Sequence, residues 1–176
     1  AWNLAFKEAK GELIVSIVDG LWFPPDTLER LWIHYQNNPM ACIGGVGNQY
    51  SEIQAGKPEK MVWQDPRITG KGFYEISPMD MEWCIASIPL KALKEVGGMD
   101  EFYDTVAALS EKEINVRINK IGYKFFLDES CEYRAIKHER LGGNEKWDKA
   151  YAEGCKIFQK HIQEIENGTR LKLNYL

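Results

Sequence analysis

Few residues in this sequence have the type and placement to do chemistry. The run "GELIVSIVDGLWFPPD", residues 11–26, leads a β-branched segment into one carboxylate, Asp19, before an aromatic turn and two prolines. An acidic group at the C-terminal end of a buried strand stands where open α/β sheets bind ligands. Asp19 also suits a plainer task, starting the turn after the strand, with Gly20 supplying backbone freedom. Further on, "SPMDMEWCIAS" gathers Asp80, Glu82 and Trp83, and "SEKE" puts Glu111 in the first turn of a helix. Ser110 and Glu113 have the spacing of a capping box. Glu111 sits beside them at the positive helix end, which lowers a carboxyl pKa. His138 stands in "YRAIKHER" after a predicted strand, whereas His34 and His161 fall within predicted helices with no ligand partner at i+4.

Other patterns point away from common chemistries. "GGVGNQ" lacks the third glycine and the strand-to-helix setting of a dinucleotide loop. Cys42, Cys84, Cys131 and Cys155 are widely spaced with no C-x-x-C pair, so they read as reduced and mostly buried thiols. That usage favours a cytoplasmic compartment. Lys57, Lys60 and Lys71 lie on a mixed-charge excursion and read as solvated surface.

The elements that must hold these groups follow from periodicity. Residues 2–10 place Leu4, Ala5 and Ala9 on one helical face, with Gly11 as a stop. Residues 12–18 show little alternation, as expected of a strand covered on both sides. A helix over about 25–36, opened by Pro24 and Pro25, puts Leu28, Leu31, Trp32 and Tyr35 on one stripe. "ACIGGVGNQY" is a second strand, and residues 51–72 form a long excursion containing a possible hairpin. "CIASIPLKALKEVGGMDEFYD" gives a strand and a short helix ending at Gly97-Gly98. The helix opened by Ser110 carries Ile114, Ile118 and Ile121, "YKFFLD" is the next strand, and residues 145–166 form an amphipathic helix. Strands alternating with helices make this α/β with a mainly parallel sheet.

A chain of 176 residues with 44% hydrophobic and 27% charged residues is one ordinary globular domain, residues 1–176. Its net charge of −4 argues against nucleic acid as the main partner, and no apolar run reaches the ~20 residues of a membrane helix. No signal-peptide pattern opens the chain. It begins Ala1-Trp2-Asn3, already inside a helical pattern, and reads as a piece that starts mid-fold.

Three blocks carry a resemblance. "AWNLAFKEAKGELIVSIVDG" resembles the family-2 glycosyltransferase stretch A-R-N-x-(G/A), A-x-G-E-x-I, D-D-D. "CIASIPLKALKEVGGMDEFYD" is similar to that family's N-F-S-I-P-L-x-A-L-x-x-V-G-G-F-D-E, and "SEKEINVRINKIGYKFFLD" to its E-D-x-D-L-x-x-R-L-x-x-x-G-Y-K. The resemblance spans roughly residues 1–140 and implies a GT-A-like, mainly parallel sheet flanked by helices. It also implies transfer of a sugar from a nucleotide-sugar donor to an acceptor hydroxyl.

On that resemblance the acidic metal motif falls on Val18, Asp19 and Gly20, leaving Asp19 as the ligand for Mn²⁺ or Mg²⁺. One carboxylate with water and substrate phosphates holds such an ion weakly. The family's arginine before asparagine is Trp2 here. Glu111 takes the place of the base, with a favourable helix-end charge as its other reading. His138 takes a metal- or phosphate-contacting position, or is a surface residue. Asp80, Glu82 and Trp83 precede the block that contacts donor and acceptor, where a carboxylate beside an aromatic suits sugar hydroxyls and ring faces. Trp83 equally suits the core. The family's first nucleotide-binding β-α-β unit is missing, so the "LIVSIV" strand is expected to show an open edge or face, covered by a second copy, a partner chain or a rearranged segment. The alternative to an enzyme is a catalytically inactive module of this fold serving binding or assembly.

Overall fold

The computed structural model describes residues 2–54, 57, 58, 60–105, 109–136 and 145–176. In chain order these form α1 (Trp2–Glu8), β1 (Leu13–Ile17), β2 (Leu21–Trp22), α2 (Thr27–Asn37), β3 (Ala41–Tyr50), β4 (Ile53–Gln54), β5 (Lys57–Pro58) and β6 (Met61–Trp63). There follow β7 (Phe73–Ile76), β8 (Ile85–Pro89), α3 (Leu90–Glu95), α4 (Ser110–Lys120), β9 (Lys124–Ile136) and α5 (Glu145–Glu166).

The long strands β3 and β9 are the spine. They pair in parallel from Ala41↔Lys124 to Tyr50↔Ile136, and the sheet order is β1-β8-β3-β9-β2. β1 is antiparallel to β8 and β8 to β3, so β1, β3 and β9 all point the same way. Their C-terminal ends therefore meet along one edge. The strands between and beside them run the other way, which makes the sheet mixed, where the sequence led us to expect mainly parallel pairing. β2 follows β1 after a turn too short for a parallel crossover and reverses direction, while β6 pairs antiparallel with β3 and β7 with β9. The expected hairpin in the excursion is β4–β5.

Alternate residues of β3 enter cores on opposite faces, as a period of two requires. Ala41 and Ile43 join Leu31 of α2, while Cys42 joins Phe6, Trp83, Ile88, Leu93, Ile114 and Ile118. Two helical faces differ from the sequence reading. In α1 the buried residues are Asn3 and Phe6, and Leu4 is 66% exposed, because the Asn3 amide is needed inside to bond Met99 O and N at 2.9 and 2.8 Å. In α2 only Leu31 of the expected stripe is buried, and Leu28, Trp32 and Ile33 are exposed. α2 as a whole packs on β3, β1 and β9.

Glycines in β3 allow a bulge in β9. The register passes from Gly45↔Asp128 to Gly47↔Tyr133. Asp128 Oδ1 accepts from Ser130 N and Oγ at 2.8 and 2.5 Å, folding the extra residues into a local turn. A Cβ on Gly45 would lie 2.2 Å from the Cys131 carbonyl oxygen, and one on Gly47 2.1 Å from the Tyr133 ring. The "GGVG" run is thus a place of close approach between strands.

The Gly97-Gly98 turn ties the chain together. Leu173 N donates to Val96 O at 2.9 Å and Tyr175 N to Gly97 O at 3.2 Å. From beneath, Arg117 Nη1 and Nη2 donate to Val96 O and Gly98 O at 2.7 and 2.8 Å. Arg117 also grips Glu113 at 2.8 Å, with both side chains fully buried. Glu113 is therefore committed to an ion pair and does not form the expected capping box. The residue capping α4 is Leu109, in the left-handed region at φ 79° with no side-chain cap.

Candidate active site

The edge where β1, β3 and β9 end holds a cavity of about 370 Å³. Asp19 and Gly20 enter it from the β1–β2 turn, Gln49 from β3, Trp63 from β6, Cys84 from the start of β8, and Tyr133 from the β9 bulge. Each reaches the cavity through backbone geometry. Gly20 has φ 72°, which lets the chain reverse after Asp19, and Gln49 stands opposite Trp63 in the β3–β6 pairing. Tyr133 crosses over the bare backbone of Gly47. A wider, open depression of about 540 Å³ lies by Gly11 and Glu12, the opposite end of β1, where Lys91 faces Glu95 at 3.7 Å.

Cys84 adjoins the turn that carries Asp19. Val18 N donates to Cys84 O at 3.0 Å, fixing the residue before Asp19 against the start of β8. The Cys84 side chain shares a hydrogen bond with Tyr133 and feels the charges of Glu82 and Glu111. Burial pushes the Cys84 thiol and the Tyr133 hydroxyl up, so both stay protonated at neutral pH. Glu111 is raised above the ordinary glutamate value, first by burial and then by Glu82, against the pull of Lys112. This corrects the expectation that the helix end lowers it. Desolvation outweighs the dipole here because the side chain is largely shielded from water.

A clamp holds the excursion over this edge. Asp65, 1% exposed, accepts from Gly47 N at 2.9 Å and from Arg67 Nη2 at 2.6 Å. Burial raises the Asp65 carboxyl, but Arg67 and the Gly47 amide outweigh it and hold it below the ordinary range. Arg67 reaches on to Asp80 O at 2.8 Å and Glu82 Oε2 at 3.2 Å. Asp80 is exposed on a 3-10 turn, and Glu82 keeps 46% of its side chain in solvent. Trp83 is placed in the core, 3% exposed, with Nε1 donating to Asn115 Oδ1 at 2.9 Å. His138 lies outside the described residues. Gln49, Trp63 and Tyr133, which the sequence reading did not select, line the cavity instead. Their only signal in sequence is an aromatic or a polar residue on a strand.

For a divalent cation, Asp19 is the one carboxylate lining the cavity among the described residues. A hard ion there would take its other oxygen ligands from water and a diphosphate. Among the described residues, Asp100, Glu113 and His161 lie close enough together to share an ion. Their oxygens are already taken. Arg170 pairs with Asp100 and reaches Glu113 at 3.4 Å, and Arg117 holds Glu113 at 2.8 Å. Two guanidiniums in that cluster exclude a cation, so it does not fit a metal.

No protein-family model matches this chain, and no curated protein matches it. A solved structure does. The crystal structure of GalNAc-T7 with UDP, GalNAc and Mn²⁺ aligns over 92% of this chain at a TM-score of 0.61 and 13% identity. The fold is that of a GT-A glycosyltransferase. This chain spans 36% of the GalNAc-T7 chain. Within the GT-A fold, the cavity occupies the edge formed by the C-terminal ends of β1, β3 and β9. No helix among the described residues is long and apolar enough to cross a membrane.

Proposed function

We propose that this is a glycosyltransferase domain of the family-2 type, moving a sugar from a nucleotide-sugar donor to an acceptor hydroxyl. The observation that supports the reading is Asp19 on a cavity at the C-terminal edge of the sheet, in a fold of the GT-A type. In the proposed reaction the acceptor oxygen bonds to the anomeric carbon and the bond to the diphosphate breaks. The acceptor proton passes to Glu111, whose pKa is held above the ordinary glutamate value, which makes it a stronger base than a free glutamate. Asp19 would hold Mn²⁺ or Mg²⁺ together with the diphosphate, the metal supplying Lewis-acid charge neutralisation when bound. Glu82 and Asp80 stand near enough to the Arg67 clamp to contact substrate from the rim, and His138 is the candidate for the diphosphate side.

The test is thermal melting with UDP, GDP and nucleotide sugars, each with and without Mn²⁺. A ligand at 100 times its Kd adds about 2.7 kcal/mol, and each kcal/mol moves Tm by roughly 2–4 °C at this size. A metal-dependent rise that disappears in Asp19→Ala supports transfer. No rise with any nucleotide, from a folded sample, favours the second reading, a binding or assembly module. The lone carboxylate on the cavity is the observation that speaks for that alternative.

A further inference from the structure

We propose that the cavity takes an uncharged sugar ring of the acceptor, with Trp63 as its stacking platform. This rests on the transferase reading and names the substrate class at that same site. No Lys, Arg or His lines the cavity among the described residues. The nearby guanidiniums are held by carboxylates: Arg67 by Asp65 at 2.6 Å, and Arg134 by Glu132 at 3.3 Å while it lies over the Trp22 ring at 4.6 Å. A phosphate, sulfate or uronate carried by an acceptor meets the Asp19 charge and no lining cation to answer it. A divalent cation arriving with a diphosphate does not reverse that balance, since its two charges are set against the carboxylate and at least two phosphate charges.

A neutral hydroxylated ring suits the same walls. Its hydroxyls can donate to Asp19 and exchange hydrogen bonds with the Gln49 amide, which both donates and accepts. Its C–H face needs a flat, polarisable surface, and Trp63 is 45% exposed directly across from Gln49. The remaining surface, Val18, Leu21 and Ala135 with Tyr133, is largely apolar, as small-ligand sites are, and 370 Å³ lies in their usual range of about 300–1,000 Å³. Nearly half of Trp63 stays in water in the fold as it stands. A ligand ring laid on it would remove that apolar area from water.

The experiment is ligand-observed saturation-transfer NMR on the whole chain, with neutral mono- and disaccharides and their uronate or sulfated counterparts. The expected result is transfer from at least one neutral sugar, with affinity falling about tenfold or more in Trp63→Ala and partly retained in Trp63→Phe. The charged counterpart binds more weakly, and Asp19→Asn narrows that gap. Should Trp63→Ala fail to fold, Gln49→Leu takes its place with the same expectation. The proposal is overturned if no neutral sugar binds, if these variants bind as the parent does, or if the anionic sugars bind better. Nucleotide melting on the same variants separates the two readings. Trp63→Ala should keep any nucleotide-induced rise while losing the sugar, and sugar binding without a nucleotide response would leave a sugar-binding module.

Discussion

Arg117 and Glu113, one turn apart in α4, face each other at 2.8 Å with no solvent on either side chain. Charged groups so placed need a full set of partners, and Arg117 finds the rest of its own in the carbonyls of Val96 and Gly98. Removing one member strands the other. Arg117→Met is expected to cost about 3–5 kcal/mol, whereas Arg117→Met with Glu113→Gln should cost clearly less. Urea unfolding of both variants, with a double-mutant comparison, checks this.

Glu111→Gln should lower kcat by about 10²–10⁴-fold if the carboxylate takes the acceptor proton. The same variant should leave Tm unchanged or slightly raised, because a partly desolvated charge is removed. Turnover of the parent should fall as pH drops through the raised Glu111 pKa. A variant with full activity removes Glu111 from the reaction.

His161 ties stability to mild acid. Burial first, and then the Arg170 charge, depress its pKa below 6.5. The folded state therefore resists protonation, so His161's contribution is intact above about pH 6.5 and is lost as pH falls through the lower folded value. Asp65 and Asp128, both held low, add losses only at more acidic pH, below the ordinary Asp value of about 3.9. Thermal melts from pH 8 to 2 should show an early decline that His161→Gln flattens, and a later one that it leaves alone.

Gly47→Ala is expected to close the cavity. The added methyl would meet the Tyr133 ring at about 2.1 Å, so the ring must swing or the strands must part. A destabilisation of about 1–3 kcal/mol, typical of overpacking, should accompany loss of any ligand-induced rise in Tm.

Exposed apolar side chains on β1 and α2 predict association. Ile17 and Val18 on and after the outer strand, and Leu28, Trp32 and Ile33 on α2, are all at least 37% exposed. Light scattering across a concentration series should show a concentration-dependent dimer or larger species, weakened by Trp32→Glu. A strictly monomeric chain would count against it.

The fold was legible where one residue's environment depends on near neighbours. α5 runs over the residues expected from its amphipathic period, and β1 ends at the turn that Asp19 and Gly20 announce. The cavity was less so. Gln49, Trp63 and Tyr133 come together only because β3, β6 and β9 pair in a particular register, with a bulge between Asp128 and Tyr133. That register depends on two missing β-carbons, at Gly45 and Gly47, and on an Asp128 turn held by His34 at 2.7 Å. A histidine with no partner at i+4 found it 94 residues away. Glu113 misled for a related reason, since capping spacing describes a helix end in water, and this one faces a buried arginine.

The strap over Gly97 also sets a schedule. A Cβ on Gly97 would lie 1.7 Å from Leu173 O, so the turn and the segment after α5 fit only as a joined pair. During synthesis at about 5–20 residues per second, the carbonyls of Val96 and Gly97 wait several seconds for Leu173 and Tyr175 to emerge. The buried Arg117 has no closed roof in that interval. The segment around Leu173 thus seals a core whose other residues lie far upstream, and a ribosome stalled shortly before Leu173 would present a nascent chain open at its charged centre.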